Sequence, residues 1–381
     1  MKLPGVTVNV SNGNLMQDVA VADAVPALVA TVKTTSLVGK TVEIYSLDDA
    51  VSLGYTESAE PFIHNLIKEY YNELGGKQLL YIYGIAQTTT MTKALTATET
   101  NSVAKLLLET EGEVNLIAIA RNPESGYSAG SGFFDKDVET AVTASKALAE
   151  NYQSQNKPIR LLIEGRVANE SASNTYSPAE AGNGYAGVVL GGTSADGSAA
   201  VSIALARAVK YPAHIKIGNG QNGPLSSVLQ IYIGTKPMEE RSDLETLHED
   251  GFIVFMHRTG SAGYYFGVDN MCESGDYRIL VHGRVIDKAQ RIAAKAYLPF
   301  VENDMRMESD GSINASDAIY LGSILETAIR AEMSEQISDV KVNVPVKQDV
   351  INTSNVNIQI SVLPLGYSSY ITINLGLTSK L

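Results

Sequence analysis

Runs of strictly alternating apolar and polar residues stand near both ends of this 381-residue chain. Alternation with period two places apolar side chains on one face of an extended segment, which is typical of a half-buried β-strand. The apolar positions that we assign to terminal strands are Val6, Val8, Val10, Val340, Val342, Val344, Val346, Val356, Ile358, Ile360, Val362, Ile371, Ile373, Leu375 and Leu377. A strand at a chain end exposes backbone donors and acceptors that invite pairing with another chain. We therefore expect strands at both ends to join copies of this protein.

The composition predicts a folded protein of several domains. Apolar residues make up 44% of the chain and charged residues 19%, which suits a packed core rather than disorder. A chain of 381 residues exceeds one ordinary core, so two or three domains are expected. The net charge of −13 argues against nucleic acid as a partner, because phosphate binding needs clustered lysines and arginines.

Cysteine, histidine and hydropathy patterns exclude several classes of protein. The single cysteine, Cys272, excludes an intramolecular disulfide framework and a cysteine-based metal site. The five histidines have no metal-ligand spacing, so neither a metal nor another cofactor is expected. The first residues lack the apolar core of a signal peptide, and no run of apolar residues is long enough for a membrane span. We expect synthesis in the cytoplasm and no membrane insertion.

The middle of the chain has the pattern of an α/β protein. Short, continuously apolar segments alternate with helical periodicity between about 94 and 215, which predicts a parallel sheet covered on both faces. An amphipathic helix is predicted from Pro61 to the Gly75–Gly76 pair. The other predicted elements are a strand pair over 19–39 with a turn near Asp23, strands over 42–46, 78–85, 114–120, 159–164 and 188–190, helices over 136–152 and 198–210, and a hairpin over 252–256 and 264–267.

The C-terminal third predicts a strand over 277–281, an amphipathic helix over 284–297, and a second helix that Ser316 caps and that runs to about 337. Acidic residues outnumber basic ones around the second helix. They are Asp317, Glu326, Glu332, Glu335 and Asp339, against Arg330. One interpretation is a solvated face with a Glu326–Arg330 pair at i,i+4 spacing. The other is an acidic docking surface for a basic partner.

Two segments resemble catalytic or nucleotide-binding motifs. Gly192-Thr193-Ser194 resembles the nucleophile turn of subtilisin-type serine proteases, but the only histidine before it is His64, on a predicted helix. A serine hydroxyl without a base is a weak nucleophile, so a helix-capping turn is favoured. Gly39-Lys40-Thr41 resembles the end of a P-loop, but Thr34 replaces the required glycine and a strand follows. The residues predict no catalytic site and no enzyme.

Several C-terminal motifs, taken in order, resemble the tail sheath proteins of contractile phages and related injection machines. They are Arg284-Val285-Ile286-Asp287-Lys288-Ala289, Tyr297-Leu298-Pro299-Phe300-Val301, Val362-Leu363-Pro364-Leu365-Gly366-Tyr367 and Ile371-Thr372-Ile373-Asn374-Leu375-Gly376, together with the opening Leu3-Pro4-Gly5-Val6. The resemblance implies a multidomain α/β and α+β fold with a subtilisin-like parallel α/β domain in the centre. An inner domain of the type shared by sheath proteins, built from N- and C-terminal parts, and β-strand arms at both ends would complete it.

The expected boundaries are an arm over 1–18, an N-terminal α/β part over 19–93, a central domain over 94–270, a C-terminal sheath domain over 271–350, and strands with an arm over 351–381. The resemblance implies a structural subunit that forms stacked hexameric rings around a tail tube and contracts to drive the tube through a target envelope.

The resemblance further implies several partners and places. The arms would exchange strands with neighbouring subunits, and Glu332, Glu335 and Asp339 would face the tube protein. Baseplate and tail terminator proteins would be further partners, with assembly in the host cytoplasm and a final place in a virion tail or phage-like particle. A degenerate subtilisin-like serine hydrolase and another self-assembling shell or tube protein remain as alternatives.

Overall fold

The structure, a computed structural model, describes residues 21–226, 228–373 and 375. The strands of the described residues are β1 Pro26–Val32, β2 Thr41–Ile44, β3 Leu80–Ala86, β4 Leu116–Ala120, β5 Arg160–Glu164, β6 Ala186–Leu190, β7 Tyr232–Ile233, β8 Lys236–Pro237, β9 Ile253–Arg258, β10 Ser261–Phe266, β11 Ile337–Asn343 and β12 Gln359–Pro364. The helices are α1 Leu47–Ser52, α2 Pro61–Leu74, α3 Met91–Leu95, α4 Val103–Glu109, α5 Asp137–Ser154, α6 Val201–Lys210, α7 Leu244–Glu249, α8 Leu280–Tyr297, α9 Ala315–Met333 and α10 Val350–Thr353.

One large sheet organises most of the chain. Its strands lie in the order β10-β9-β6-β5-β4-β1-β3-β2, and only β2 and β10, at the two edges, run antiparallel to their neighbours. Every residue of β1, β4, β5 and β6 is buried. Strands that are apolar throughout are buried on both faces, as the sequence predicts for a parallel sheet.

Helices pack on this sheet in pairs, α2 with α6 and α3 with α5. Helix α2 begins at Pro61, and Gly75, at φ 75°, ends it in the left-handed conformation that favours glycine. Helix α6 has nine of its ten residues buried, which explains why alanines and valines dominate it. The predicted helices 61–74, 136–152 and 198–210 are confirmed to within a few residues.

The C-terminal part forms a second, smaller unit. Helices α8 and α9 pack together, and α9 packs on β11, which pairs with β12 in an antiparallel hairpin. A separate apolar cluster forms the core of this unit, and its members include Val285, Ile292, Leu325 and Ile329. Two cores in one chain confirm the expectation of a multidomain α/β and α+β protein.

Helix α8 joins the two units through two different faces. Val285, Ala289 and Ile292 pack into the C-terminal core. The opposite face carries Asp287, which bonds the β5 residue Arg160, and Arg291, which bonds the carbonyl oxygens of Gly112 and Pro158. Polar contacts therefore fix this face of α8 to the sheet unit, while each unit has an apolar core.

Three predicted elements are wrong in detail. The segment 277–281 is not a strand, because α8 already begins at Leu280, where Asp269 accepts hydrogen bonds from the Leu280 and Val281 N–H groups. Asn314, not Ser316, caps α9, and the helix ends at Met333. In place of a strand pair over 19–39, the described residues contain β1 and a 3₁₀ turn at Thr35–Leu37.

The large sheet crosses the expected boundary between the segments 19–93 and 94–270. Strands β1, β2 and β3 come from the segment 19–93, and β1 lies in the middle of the sheet between β3 and β4. The segments 19–93 and 94–270 therefore share one sheet. At the other end, Val21 and Asp23 bond residues of α8, α9 and the turn after α9, so the first described residues belong to the C-terminal unit.

Candidate assembly interfaces

Within the part of the chain that the structure describes, β11 pairs with β12 alone, which leaves its other edge free. The Val340 N–H donates to Asp339 Oδ1 at 2.8 Å, and the Val340 carbonyl oxygen accepts from Arg330 Nη2 at 2.9 Å. These side-chain bonds show that the Val340 backbone groups point away from β12. Backbone groups two residues apart along a strand point in the same direction, so Val342 also presents its N–H and carbonyl oxygen at this edge.

A groove runs along this edge between β11 and α9. It has a volume of about 460 Å³, and its helix side includes the small residues Ala315, Ala318, Gly322 and Ser323. Its strand side is lined by Val342, Asn343, Val344 and Val346. A Cβ on Gly322 would lie 3.8 Å from the Val342 carbonyl oxygen, so β11 passes close to α9 here. The groove combines an apolar wall with the Val342 N–H and carbonyl oxygen, which have no hydrogen-bond partner among the described residues, and an added β-strand requires such a surface.

The predicted arm residues fall into three groups. Val6, Val8 and Val10 lie outside the described residues. Val356 and Ile358 precede β12 and pack on the chain's own C-terminal clusters, whereas Ile360 lies within β12 opposite Val342. Ile371, Ile373 and Leu375 lie outside any strand, with 77%, 81% and 96% of their surfaces exposed. A strand forms only when its backbone finds a partner, and the described residues offer none to 371–375.

The three acidic residues predicted to face a tube have different surroundings. The Glu332 carboxylate accepts a hydrogen bond of 2.7 Å from the Val21 N–H, so it holds the chain's own N-terminal segment. Asp339 forms an ion pair with Arg330 at 2.6 Å, which lowers the pKa of Asp339. Glu335 is exposed and has no hydrogen bond or ion pair among the described residues. Of the three, only Glu335 presents a free carboxylate.

The chain after β12 lies across the sheet unit as a strap, residues 365–370. The Tyr367 hydroxyl donates to the His214 carbonyl oxygen at 2.7 Å, and Lys216 Nζ donates to Ser369 Oγ at 3.2 Å. The ring of Tyr367 lies 5.9 Å from the His282 ring, centroid to centroid. Burial raises the pKa of Tyr367 to about 12. A cavity of about 720 Å³ lies beside the strap, so polar contacts rather than close packing hold it.

The structure does not assemble a serine protease site at Gly192-Thr193-Ser194. Ser194 is exposed on a loop, seven positions before α6 begins, and not in a helix-capping turn. His64 Nδ1 lies 2.9 Å from the carbonyl oxygen of Tyr55, and no histidine lines the cavity of about 220 Å³ that holds Ser194. The nearest feature of interest is Glu69, which accepts hydrogen bonds from Asn65, Thr193 and Ser202, and whose pKa burial raises.

Two further absences concern ligands and membranes. Within the described ranges, no group of three or more histidine, cysteine, aspartate or glutamate side chains could hold a metal ion. Nor does that part of the chain contain a helix whose length and hydropathy suit a membrane crossing.

Sequence reasoning missed the buried charges that hold the architecture. Arg160 and Glu164 are the first and last residues of β5, and both are fully buried. Burial raises the pKa of Glu164 to about 7, although its carboxylate accepts the N–H groups of Arg121 and Ala199 at 2.7 and 3.1 Å. The available signal was a charged residue on each side of the apolar triplet Leu161-Leu162-Ile163.

Solved structures share this fold over the whole chain. The sheath of the anti-feeding prophage in its contracted state is 18% identical, with a TM-score of 0.64 and coverage of 100% of both chains. A chain of the six-fold symmetrised anti-feeding prophage baseplate is 16% identical, with a TM-score of 0.61 over 99% of both chains. The sheath tail protein of Desulfitobacterium hafniense is 12% identical, with a TM-score of 0.55 over 95% of this chain and 100% of the other. The chain has the fold of contractile sheath proteins, which confirms the resemblance seen in the sequence.

Family models match nearly the whole sequence in two parts. Residues 3–270 match the DUF2586 N-terminal domain, and residues 276–381 match the DUF2586 C-terminal domain. The chain therefore belongs to the DUF2586 family. The change from one model to the other falls where the large sheet has ended and α8 is about to begin. Among curated protein sequences, nothing matches this chain.

Proposed function

We propose that this chain is the structural subunit of a contractile tail sheath, which polymerises helically around a tail tube and drives it through a target envelope. The observation that carries the proposal is the whole-chain likeness to contractile sheath subunits. It is combined with a strand edge and an exposed apolar segment that have no strand partner among the described residues. A subunit with a donor segment and an acceptor edge in different places makes heterologous contacts, which form rings or open helices rather than closed dimers.

The apolar segment 371–375 is one donor, and the Val6-Val8-Val10 segment is the other. The acceptor is the C-terminal hairpin, whose free β11 edge lies in the groove beside α9. Each added main-chain hydrogen bond contributes about 1 kcal/mol net, so a strand of a few residues, with its buried valines and isoleucines, holds neighbours together. Strand pairing of this kind keeps subunits linked while their larger units rotate.

The work of contraction is stored at assembly. Subunits that polymerise on a tube are trapped in an extended arrangement of higher free energy, and a trigger at the baseplate releases it along the sheath. The energy then comes from new contacts between copies of the chain. The arms act as hinges in this transition, because each subunit keeps its strand partners while its position changes.

The tube protein, the baseplate and a tail terminator are the further partners in this proposal. Glu335 is the residue that we assign to the tube, since its carboxylate is exposed and unpaired among the described residues. The eight-stranded sheet unit, which carries a buried helix beside a serine-containing loop, is the subtilisin-like domain of the proposal. Assembly takes place in the host cytoplasm, and the product is a virion tail or a phage-like particle.

Electron microscopy of the purified protein tests the proposal. Negative-stain images would be recorded of the protein expressed alone and together with the tube protein from the same gene cluster. Hollow helical tubes of the protein, alone or around the tube, are the expected result. A particle without helical order in both samples would overturn it, and labelling of Ser194 by an active-serine probe would instead support the hydrolase.

A further inference from the structure

The first described residues are fixed to the C-terminal unit by polar contacts. The Val21 N–H donates to Glu332 Oε2 at 2.7 Å, and Asp23 Oδ1 accepts from Lys288 Nζ at 2.8 Å and from Gln336 Nε2 at 3.0 Å. The Lys288 side chain is buried, and the Asp23 side chain is partly exposed. These contacts form the anchor of the N-terminal segment.

The strap is the anchor of the C-terminal segment. Its Tyr367 hydroxyl bonds the His214 carbonyl oxygen, and the exposed residues Ile371 and Ile373 follow within a few positions. His214 lies three positions after Tyr211, whose carbonyl oxygen is 3.5 Å from Nη2 of Arg284 on α8. Ala213, between them, packs into the same apolar core as α8. The segment 211–214 therefore connects the strap to the helix that holds the first anchor.

Arg284 lies on α8 between the contacts of the two anchors. It follows His282, whose ring lies beside Tyr367, and it precedes Lys288, which bonds Asp23, by one helical turn. Its side chain is buried. Its Nη2 reaches the Tyr211 carbonyl oxygen only at 3.5 Å, and its Nε and Nη1 have no hydrogen-bond partner among the described residues. A buried guanidinium with unused donors responds to any change in the carboxylates and hydroxyls around it.

We propose that Asp23, His214, Arg284, Lys288 and Tyr367 form a junction that couples the two anchors, so that loosening the N-terminal segment also loosens the strap, and the reverse. The physical basis is that both anchors bind one contiguous body, α8 with the segment 211–214 packed on it, and contacts that share such a body have non-additive energies. The biological meaning rests on the proposed function. Tension on one terminal arm would weaken the contacts that anchor the other arm to the rest of the subunit. A sheath that releases its subunits in sequence needs such a connection between neighbours.

Hydrogen–deuterium exchange on the unassembled full-length chain tests the coupling, with sedimentation used to confirm the assembly state. Tyr367→Phe removes one hydroxyl and is expected to speed exchange in the strap 365–370. Coupling predicts that the Val21 amide, on the other anchor, also exchanges about threefold faster or more. Asp23→Asn is expected to have the reciprocal effect on the strap, because a coupling free energy is the same in both directions.

Two matched variants serve as controls. Tyr297→Phe removes a comparable bond, from the Tyr297 hydroxyl to the Leu321 carbonyl oxygen, and Asp317→Asn breaks the ion pair with Arg306 on the same unit. Neither is expected to change exchange at Val21 or in the strap. Faster exchange of the strap in Tyr367→Phe with no change at Val21 would overturn the proposal, as would an unchanged strap.

Because Tyr367→Phe is a mild substitution, it decides the question even if Asp23→Asn unfolds. Electron microscopy of the same variants keeps the two proposals apart. Coupled exchange in a chain that never forms a sheath would contradict the proposed function and leave the junction standing. Sheath formation by a chain whose two anchors exchange independently would support the proposed function and contradict the junction.

Discussion

Arg160 and Asp287 form a buried, two-pronged ion pair that fixes α8 to the end of β5. Arg160 Nε and Nη2 each donate to the Asp287 carboxylate at 2.7 Å, and a third bond runs from Nη1 to the Gly184 carbonyl oxygen at 2.6 Å. Helix α8 carries Gly283 where it meets Arg160, since a Cβ there would lie 2.6 Å from Arg160 Nε. Paired geometry of this quality fixes the orientation of the two units, because any rotation would leave a buried charge unpaired.

Breaking this pair should destabilise the chain strongly. Asp287→Asn leaves Arg160 charged and buried without its counter-ion, which we expect to cost about 3 kcal/mol or more in the free energy of unfolding. Urea unfolding followed by circular dichroism measures the change, with the exposed-pair variant Asp317→Asn as a control that should change it little. Arg160→Met with Asp287→Leu should recover most of the loss, and a double variant as unstable as the single one would contradict this account.

Glu164 should make stability depend on pH. Burial raises its pKa in the folded state to about 7 from the ordinary 4.5, so the folded state holds this proton more tightly than the unfolded state. The contribution of Glu164 to stability is therefore fully present below pH 4.5 and is lost as the pH rises through about 7. Between pH 4.5 and pH 8, the free energy of unfolding of the unsubstituted chain should fall by about 3 kcal/mol relative to that of Glu164→Gln. If the free energy of unfolding changed equally with pH in both proteins, the buried carboxyl would not be the cause of the pH dependence.

The free edge of β11 can be tested with a pair of proline substitutions. Val342→Pro removes an N–H that points into the groove, so the hairpin with β12 should survive while assembly into tubes is lost. Lys341→Pro, one residue earlier, removes an N–H on the β12 side and should destabilise the hairpin itself. Thermal unfolding and electron microscopy distinguish the two outcomes. Normal tubes from Val342→Pro would exclude this edge as an acceptor.

Truncation tests the donors. Removal of residues 1–12 or 368–381 should leave a folded chain, because neither deletion touches the large sheet or Tyr367, and both products should fail to polymerise. Sedimentation velocity and negative-stain microscopy measure the result. Tubes of ordinary length from either product would refute strand exchange by that end.

The assignment of Glu335 to the tube makes a narrower prediction. Glu335→Lys should weaken binding of a preformed tube about tenfold or more while self-assembly of the sheath continues, because it reverses an exposed charge outside the groove. Glu302→Lys, at another exposed glutamate of the C-terminal unit without a hydrogen bond or ion pair among the described residues, serves as the comparison. Equal co-sedimentation of Glu335→Lys and the native chain with tubes would rule out this residue as a contact.

The sequence determined the class of fold and most of its elements. Continuous apolar segments such as Leu161-Leu162-Ile163 predicted a parallel sheet, and Pro61 and Gly75 marked the two ends of α2, because local sterics and periodicity set these features. Alternation over 371–377 revealed strand-forming character, and the order of motifs along the C-terminal third pointed to the sheath fold. These signals are all local in the chain.

Tertiary structure alone decided which distant residues meet. Nothing in the spacing indicates that Arg160 bonds Asp287, that Glu332 holds Val21, or that Tyr367 reaches His214, since each pair is more than one hundred residues apart in sequence. The segment 371–375 shows that side-chain alternation alone does not form a strand. Its side chains alternate as in a strand, but a strand needs a neighbouring backbone, and the described chain provides none. Side-chain pattern is a local property, whereas pairing of buried charges and of strand edges depends on what the fold brings near.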